Sequence, residues 1–398
     1  MRRYHKQEKI GALKYMLLVV VALFAALDVA NAQQVRRETL KYHEGLYLDR
    51  YWSDEHAGDL RNSCKCAPAA AAETTTGGRI STNGQRQGVL EAGAHCSAVT
   101  EDRRTPAMIF MFGGGFYTGV RDRKEYLPYF HFLASRGIQV FSIDYRLGLA
   151  PLVEKMKGAA SGKEEAHSAG PVDGVKGGKG RKSGKIAAAR QMVGLLRKSI
   201  DMAVEDLFRA TAFIISNAEK WGIDTSMIMT SGSSAGAISV LEAEYALCNG
   251  GEEVEPYNYV PSGFKYAGVV SFAGAIMSVN GKLKWSSRPA PMMLFHGTAD
   301  SNVPYDKLWT PFGSLYGSKY IADQLTGMTA PHTLFTFENA THTVAVSPMK
   351  ENLLQIAAFI EESVFDGKKF IANTVVDQPG LPELKRKLKL KDYIKANF

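Results

Sequence analysis

Apolar residues along the chain occur in short runs, each about as long as a buried strand, and the runs are separated by segments of helical periodicity. Helical spacing is clearest over 186–221, 237–247 and 347–365. Strands that alternate with helices form a mostly parallel sheet covered on both faces, because each parallel connection must cross over the sheet. The pattern therefore predicts an α/β fold. The predicted strands are 45–52, 107–112, 138–143, 227–230, 266–272, 291–295 and 333–337.

Two long stretches interrupt this alternation. Residues 54–105 are polar and low in complexity, and residues 150–185 are rich in Gly, Lys and Ser without apolar periodicity. Both are predicted to be insertions in the domain. The second insertion is either a lid over a site or a solvated loop. It contains no Gly-x4-Gly-Lys-[Ser/Thr] match, which argues against a phosphate-binding loop.

Residues 1–32 have the pattern of an export signal. A basic segment ends at Lys14, an apolar run covers 16–27, and Ala30-Asn31-Ala32 forms a small-x-small cleavage site. The apolar run is shorter than the roughly 20 residues that span a bilayer. Cleavage after Ala32 is therefore favoured over an uncleaved anchor. We expect an exported protein, periplasmic or secreted, with no stable membrane insertion once the signal is removed.

The formal charge of +8 is concentrated in three segments, 1–32, 150–200 and 366–398, so that the remaining body is mildly acidic. A nucleic-acid-binding protein would instead carry a basic stripe with interleaved aromatic residues on a binding element. No nucleic-acid partner is expected. The basic C-terminal tail, 367–398, is either solvated or in contact with an anionic surface. The folded domain is accordingly predicted to span 33–366.

The four cysteines, Cys64, Cys66, Cys96 and Cys248, are compatible with an oxidising compartment. Cys64 and Cys66 are too close in sequence to bridge each other easily. A disulfide from Cys96 to one of them, closing the first insertion, is the favoured interpretation. Zinc binding is disfavoured because the spacing lacks paired Cys-x-x-Cys motifs.

A candidate nucleophile lies between a predicted strand and a predicted helix. Residues 232–236 read GSSAG and match Gly-x-Ser-x-Gly with Ser234 at the centre. A serine presented on a tight strand-to-helix turn needs flanking residues without bulk, because the backbone folds so closely there. The strand at 227–230 and the helix at 237–247 supply that setting. The alternative is an ordinary Gly-Ser turn.

A glycine cluster follows the predicted strand 107–112. Residues 112–117 read FGGGFY, and glycines let backbone N–H groups approach a reacting oxygen without obstruction from side chains. The cluster indicates a site for a developing negative charge, although alone it would fit an ordinary turn. Phe116 and Tyr117, next to it, either line a substrate pocket or belong to the core.

An acid and a base follow two later strands. Asp300 ends the segment HGTAD after strand 291–295, and His342 follows strand 333–337. The order Ser, Asp, His along the chain is that of hydrolases with a nucleophile on a strand-to-helix turn. Glu338 is the alternative acid. His296 is predicted to buttress the turn at Asp300, and His332 to lie at the wrong end of its strand.

These segments together resemble the α/β-hydrolase carboxylesterases, in particular the hormone-sensitive-lipase-like and type-B groups. The resemblance covers roughly 40–365. It implies an α/β-hydrolase fold, with Ser234 as nucleophile, Asp300 as orienting acid and His342 as base. The matching segments are FGGGFYTG, DYRL at 144–147, Glu205-Asp206, WGID at 221–224, GSSAG and HGTAD.

The resemblance also assigns supporting roles. It implies that the N–H groups of Gly114, Gly115 and Ala235 form an oxyanion hole, and that Asp144 and Arg146 brace the glycine loop. One departure from the pattern is Phe112, at a position where the hormone-sensitive-lipase-like group often carries histidine.

The implied activity is that of a serine carboxylesterase acting on a small-molecule or polysaccharide-linked ester. Such a reaction proceeds through an acyl-enzyme and needs no metal or organic cofactor. Two alternatives remain open at this stage. One is a serine exopeptidase of the same fold, and the other is a non-catalytic binding protein that keeps the hydrolase shape.

Overall fold

The computed structural model describes residues 35–54, 104–161, 180–250, 258–377, 380, 383–384, 388 and 390–397. The predicted signal peptide, most of the first insertion and three of the four cysteines lie outside these residues, and their assignments stay predictions. Cys248 is described; it is buried and unpaired, and burial raises the pKa of its thiol to about 12. No helix in the described ranges is sufficiently long and apolar to cross a membrane.

A sheet of nine strands lies at the centre of the described structure, in the order β1-β2-β4-β3-β5-β6-β8-β11-β12. Only its first two pairings, β1 with β2 and β2 with β4, are antiparallel. The predicted α/β-hydrolase fold, a mostly parallel sheet flanked by helices, is confirmed. The strands are β1 Val35–His43, β2 Leu46–Ser53, β3 Thr105–Met111, β4 Gln139–Ile143, β5 Ile223–Ser233, β6 Val269–Phe272, β8 Met292–Gly297, β11 His332–Phe337 and β12 Ile371–Val376.

A second sheet is small and antiparallel, with the order β7-β10-β9. Its strands are β7 Ala275–Ser278, β9 Lys307–Thr310 and β10 Gly313–Gly317. Strand β7 follows β6 in the chain, and β9 and β10 follow β8, so the small sheet lies beyond the ends of two central strands. None of its three strands was predicted, because short runs such as KLWT contain no continuous apolar segment.

Helices pack against the central sheet. The helix that follows β5 is buried along most of its length and contacts β3, β5 and β6 as well as the long helix before β5. The helices are α1 Leu127–Ala134, α2 Ala150–Ser161, α3 Gly180–Ser216, α4 Ala218–Trp221, α5 Ala235–Cys248, α6 Ser318–Gly327, α7 Pro348–Glu351, α8 Leu353–Phe359 and α9 Leu390–Asn397, with a 3-10 turn at His342–Ala345 and a π-helical segment at Ile360–Phe365.

The insertion predicted at 150–185 is helical at both of its described ends, which the missing apolar periodicity did not indicate. Helix α2 occupies its start, and α3 already begins at Gly180; residues 162–179 lie outside the described part. Lys, Arg and Ala are good helix formers even without an apolar stripe, so periodicity alone missed these turns. The helix predicted over 186–221 is divided near Asn217 into α3 and α4.

The predicted domain boundary at residue 366 is wrong. Strand β12 pairs with β11 in parallel over its whole length and completes the central sheet, and α9 follows it. The sequence IANTVV forms an edge strand whose residues are largely exposed, so it lacks the continuous apolar run expected of a buried strand. Strand β12 and helix α9, which lie within the predicted tail, are therefore part of the fold.

Candidate active site

The backbone at Ser234 makes a strained turn between β5 and α5. Ser234 has φ +52° and ψ −114°, a conformation that costs a non-glycine residue about 1–3 kcal/mol. Two backbone hydrogen bonds hold it. The Ser234 N–H donates to the carbonyl of Phe272 on β6 (2.9 Å), and the Ile238 N–H donates to the Ser234 carbonyl (2.9 Å). The turn therefore presents the hydroxyl at the carboxyl end of the sheet.

The two glycines of the motif are required by close backbone approach. A Cβ on Gly232 would lie 2.4 Å from the carbonyl carbon of Gly236, and a Cβ on Gly236 would lie 2.1 Å from the carbonyl oxygen of Met111. Neither neighbour is a side-chain end that could move aside. The sequence therefore folds into this turn only with glycine at both positions, which is the physical basis of the motif.

The structure brings His342 between Ser234 and Asp300. His342 begins the 3-10 turn after β11, and its Nε2 is 2.8 Å from Ser234 Oγ while its Nδ1 is 2.7 Å from Asp300 Oδ2. A carboxylate at Nδ1 holds the ring proton there, so Nε2 is free to accept the serine proton. Three residues far apart in the chain thus form a continuous hydrogen-bonded series.

Asp300 is a buried carboxylate, and both of its side-chain oxygens take part in hydrogen bonds. Its Oδ1 accepts the N–H groups of Asn302 (2.8 Å) and Val303 (2.9 Å), and Oδ2 also lies 3.5 Å from His296 Nε2. Burial alone would raise the pKa of Asp300, but hydrogen bonds from His296 and His342 outweigh it and hold this pKa below its usual range. Asp300 is therefore ionised at neutral pH, as an orienting acid must be.

The other candidate histidines and the alternative acid are positioned away from the serine. His296 is fully buried and bonds Ser318 Oγ (2.8 Å) and the Val303 carbonyl (3.2 Å), which confirms its predicted buttressing position. His332 bonds the Ala330 carbonyl (2.9 Å) at the start of β11, also as predicted. Glu338 accepts a 3.5 Å hydrogen bond from Thr298 Oγ1, and Asp300 takes the position beside the imidazole instead.

The glycine loop lies directly against the Ser234 turn. A Cβ on Gly113 would be only 3.2 Å from Ser234 Cβ, and Gly114 and Gly115 have φ values of +149° and +62°. Among the described residues, the N–H groups of Gly114 and Gly115 have no acceptor. Ala235 is the first residue of α5, so its N–H has no partner within the helix. Three donors are thus available near the hydroxyl; their assignment as an oxyanion hole stays a prediction.

Two tyrosines, for which the sequence predicted no role, brace this loop. Tyr126 Oη accepts the Gly113 N–H (3.1 Å), and Tyr145 Oη donates to the Phe112 carbonyl (2.8 Å). The Phe112 ring stacks on Tyr145 with centroids 4.5 Å apart. Phe112 therefore secures the loop by ring stacking. Both tyrosines are buried, so the loop is held in a fixed shape.

Asp144 and Arg146 contribute to the loop less directly than the resemblance implies. Asp144 accepts a hydrogen bond from Arg121 Nη1 (2.7 Å), in the segment that follows the loop. The Arg146 side chain pairs with Glu205 and Asp206 of α3 and ties that helix to the sheet. The direct contacts to the glycine loop come from Tyr126 and Tyr145.

A cavity of about 230 Å³ opens in front of the serine. Tyr117 lines it, but Phe116 does not: the Phe116 side chain is 1% exposed and belongs to the core. Of the two alternatives that the sequence left open, Phe116 therefore takes the core position and Tyr117 the position in the cavity wall. The cavity is lined by Gly113, Gly114, Gly115, Tyr117, Arg123, Tyr126, Ser233, Ser234, Asn302, His342, Ala345, Val346, Ala396 and Asn397.

Sequence reasoning missed the part of this wall that comes from Asn302 and from the C-terminal helix α9. Asn302 lies two residues after Asp300, so its proximity to the triad could have indicated it. The local sequence around Ala396 and Asn397 did not indicate a place in the site. A basic segment near the C-terminus is predicted to be a tail unless its contacts with the rest of the protein are known.

Comparisons with known proteins give structural neighbours only. No family model and no curated protein matches the chain. Esterase 2 of Thermogutta terrifontis, phosphoramylated by tabun, covers 83% of this chain and 96% of its own at 18% identity, with a TM-score of 0.45. The propionate-bound esterase from the same species covers 84% and 96% at 17% identity, with a TM-score of 0.46. This chain's own strand order and register establish that it has an α/β-hydrolase fold.

Proposed function

We propose that the protein is a serine carboxylesterase. One observation carries the proposal: Ser234 Oγ, the His342 ring and the Asp300 carboxylate form an unbroken series of hydrogen bonds of 2.8 and 2.7 Å. Beside it lie backbone N–H groups that have no acceptor among the described residues. A nucleophile, a base, an oriented acid and oxyanion donors are what ester cleavage by acyl transfer requires.

In the first half of the reaction, Ser234 Oγ attacks the ester carbonyl carbon while His342 Nε2 takes the hydroxyl proton. The ionised Asp300 stabilises the imidazolium that forms. The N–H groups of Gly114, Gly115 and Ala235 receive the negative charge on the carbonyl oxygen. Each such donor typically lowers the barrier by about 3 kcal/mol.

The tetrahedral intermediate then collapses and the C–O bond to the alcohol breaks. His342 returns its proton to the departing alkoxide, which leaves as the free alcohol. In the second half, His342 takes a proton from water, and the hydroxide attacks the carbonyl carbon of the acyl-enzyme. The bond to Ser234 Oγ then breaks and His342 returns its proton to that oxygen, which releases the carboxylic acid and restores the serine hydroxyl.

The test is Ser234→Ala, assayed with p-nitrophenyl acetate and with a fluorophosphonate probe that labels active serines. We expect kcat/KM to fall by about 10⁵-fold, because the nucleophile is removed, and labelling to disappear. Ser226→Ala is the matched control: this exposed serine lies near the opposite end of the same strand, and both readouts should stay within about twofold of the unmodified chain.

Other outcomes separate the alternatives. Retained turnover in a folded Ser234→Ala variant would refute the assignment. Cleavage of dipeptidyl anilides in preference to esters would favour an exopeptidase, and absence of both labelling and turnover in the unmodified chain would favour a binding protein.

A further inference from the structure

Beyond the triad, one wall of the substrate cavity comes from the far end of the chain. Ala396 and Asn397, in the last turn of α9, line the same cavity as Ser234 and His342. The sequence places this helix in a basic segment, where it reads as a tail. The structure instead positions it across from the glycine loop.

Helix α9 is attached to the loop that carries the triad acid. Asn302 Nδ2 donates to the Ala396 carbonyl (3.3 Å), and Asn397 Nδ2 donates to the Asn302 carbonyl (3.1 Å) and to the Tyr393 carbonyl (2.9 Å). The Asn302 N–H in turn donates to Asp300 Oδ1 (2.8 Å). One asparagine therefore connects the acid of the triad to the C-terminal helix.

Packing holds the helix in addition to these hydrogen bonds. Tyr393 and Leu388 pack against the hydrophobic core, and burial raises the pKa of the Tyr393 phenol to about 12. The helix also contacts β9 of the small sheet. Lys395 lies on the exposed side of the helix, away from the cavity.

The cavity is small and opens to solvent on one side. The cavity measures about 230 Å³, below the roughly 300–1,000 Å³ of common small-molecule sites. Ala396 contributes only a methyl group and Asn397 an amide, so the wall at this point is close to the helix backbone. A long acyl chain that runs toward α9 would therefore meet this wall.

We infer that α9 is the specificity element of the esterase site, and that Ala396 and Asn397 restrict the substrate to esters of short acyl chains. The inference rests on the proposed function. The Asn302–Asn397 hydrogen bond keeps this wall closed, and the same loop holds Asp300 in place.

The experiment compares kcat/KM for p-nitrophenyl acetate, butyrate and octanoate in four forms of the chain. Deletion of 390–398 should raise the octanoate-to-acetate ratio by at least about tenfold, since a few methylene groups in a pocket change kcat/KM by that order. Ala396→Trp should do the reverse and lower butyrate hydrolysis about tenfold more than acetate hydrolysis. Lys395→Ala, on the exposed side of the same helix, should leave the ratios unchanged.

The readout is a ratio within each variant, so a general loss of folded protein does not imitate the effect. Where the deletion is too unstable to assay, Ala396→Trp decides. An unchanged octanoate-to-acetate ratio on deletion, or equal effects of Ala396→Trp on butyrate and acetate, would overturn the inference while leaving the esterase assignment intact. Failure of the unmodified chain to hydrolyse acetate or to be labelled at Ser234 would instead overturn the proposed function.

Discussion

A cavity lies at each end of the central sheet, and the larger of these two cavities does not contain the serine, histidine and aspartate of the candidate triad. At the amino ends of β3, β4 and β5, a cavity of about 300 Å³ is lined by Arg50, Trp52, Gln139 and Trp221. At the carboxyl ends, a cavity of about 230 Å³ contains the triad. Volume therefore does not distinguish the functional end of this sheet.

Polar groups at the amino end satisfy one another. Arg50 Nε donates to Gln139 Oε1 (2.7 Å) and Arg50 Nη1 to Glu38 Oε1 (2.8 Å), while the guanidinium lies over Trp52 at 4.2 Å and Trp221 at 5.1 Å. Gln139 Nε2 donates to the Trp221 carbonyl (2.7 Å). Groups that are already bonded and stacked stabilise the fold but have little capacity left for a ligand.

Polar groups at the carboxyl end are arranged differently. Gly114 and Gly115 keep N–H groups without an acceptor in the described ranges, Ser234 is held in a strained conformation, and Asp300 is a buried charge. Each of these features reduces stability unless something else compensates. The comparison teaches that the proposed catalytic site lies where unused hydrogen-bonding capacity and backbone strain coincide. Substitutions at the two ends should therefore separate catalysis from stability.

Among the substitutions that compare the two ends of the sheet, the largest effect is expected for Asp300→Asn. An asparagine amide can donate to His342 Nδ1, which favours the ring tautomer with its proton on Nε2 and removes the base. We expect kcat/KM for p-nitrophenyl acetate to fall by about 10³–10⁴-fold with the fold retained. Asp306→Asn, an exposed carboxylate on the same segment, is the control and should stay within about twofold. Near-normal turnover in Asp300→Asn would mean that a different group orients the imidazole.

The same variant has a pH signature. Because the pKa of Asp300 is held below its unfolded value of about 3.9, the ionised carboxylate stabilises the fold fully above that pH. This contribution is lost as the pH falls through the lower pKa of the folded state. The difference in free energy of unfolding between the unmodified chain and Asp300→Asn should therefore narrow below about pH 4. Urea unfolding at a series of pH values measures it, and a constant difference would contradict the ionised, hydrogen-bonded state.

The next effect compares two helical glycines. Gly236→Ala places a Cβ against the Met111 carbonyl, so we expect a loss of about 3 kcal/mol in the free energy of unfolding, together with lower kcat. Gly194→Ala, in α3, meets nothing within 4 Å and should gain about 0.5–1 kcal/mol from helix propensity. Urea unfolding of both variants tests the pair. Equal changes in stability would show that β3 and α5 do not approach as closely as described.

The smallest effect on catalysis is expected at the amino end. Arg50→Met keeps an apolar stem between the two tryptophans but leaves Gln139 and Glu38 without their donor, which should cost about 2 kcal/mol of stability. Because Arg50 lies at the opposite end of the sheet, kcat/KM should not change. Arg36→Met, on the exposed face of β1, controls for loss of a positive charge. A large drop in kcat/KM for Arg50→Met, measured under conditions in which this variant is fully folded, would indicate that the two ends of the sheet are energetically coupled.

The sequence predicts the triad because its geometry is encoded locally. Gly232 and Gly236 are fixed by backbone contacts within one turn, and Asp300 and His342 each follow an apolar strand, so their side chains reach the same edge. What the sequence does not show depends on tertiary packing. Tyr126 and Tyr145 reach the glycine loop from other elements. Phe116 is fully buried while its neighbour Tyr117 is only half-buried, and no local sequence pattern distinguishes the two aromatic residues.

The C-terminal elements were missed for a related reason. Strand β12 is a largely exposed edge strand that pairs on one side only, so its composition resembles a loop. Helix α9 contacts the site through Asn302 and Asn397, two residues distant in sequence with no pattern between them. Contacts between such distant residues can be predicted only when the three-dimensional arrangement of the strands and helices is known.

The serine, the acid and the base follow three different strands, β5, β8 and β11, which are linked in the sheet through β6. A refolding chain that has paired β5 with β6 but not β8 with β11 holds a nucleophile without its proton acceptor. Such long-range pairings form late, since the entropy of closing large loops must be overcome first. The rate at which turnover returns after dilution from denaturant therefore measures the rate at which the last parallel strand pairs form. A spectroscopic signal from the helices would recover earlier than this turnover.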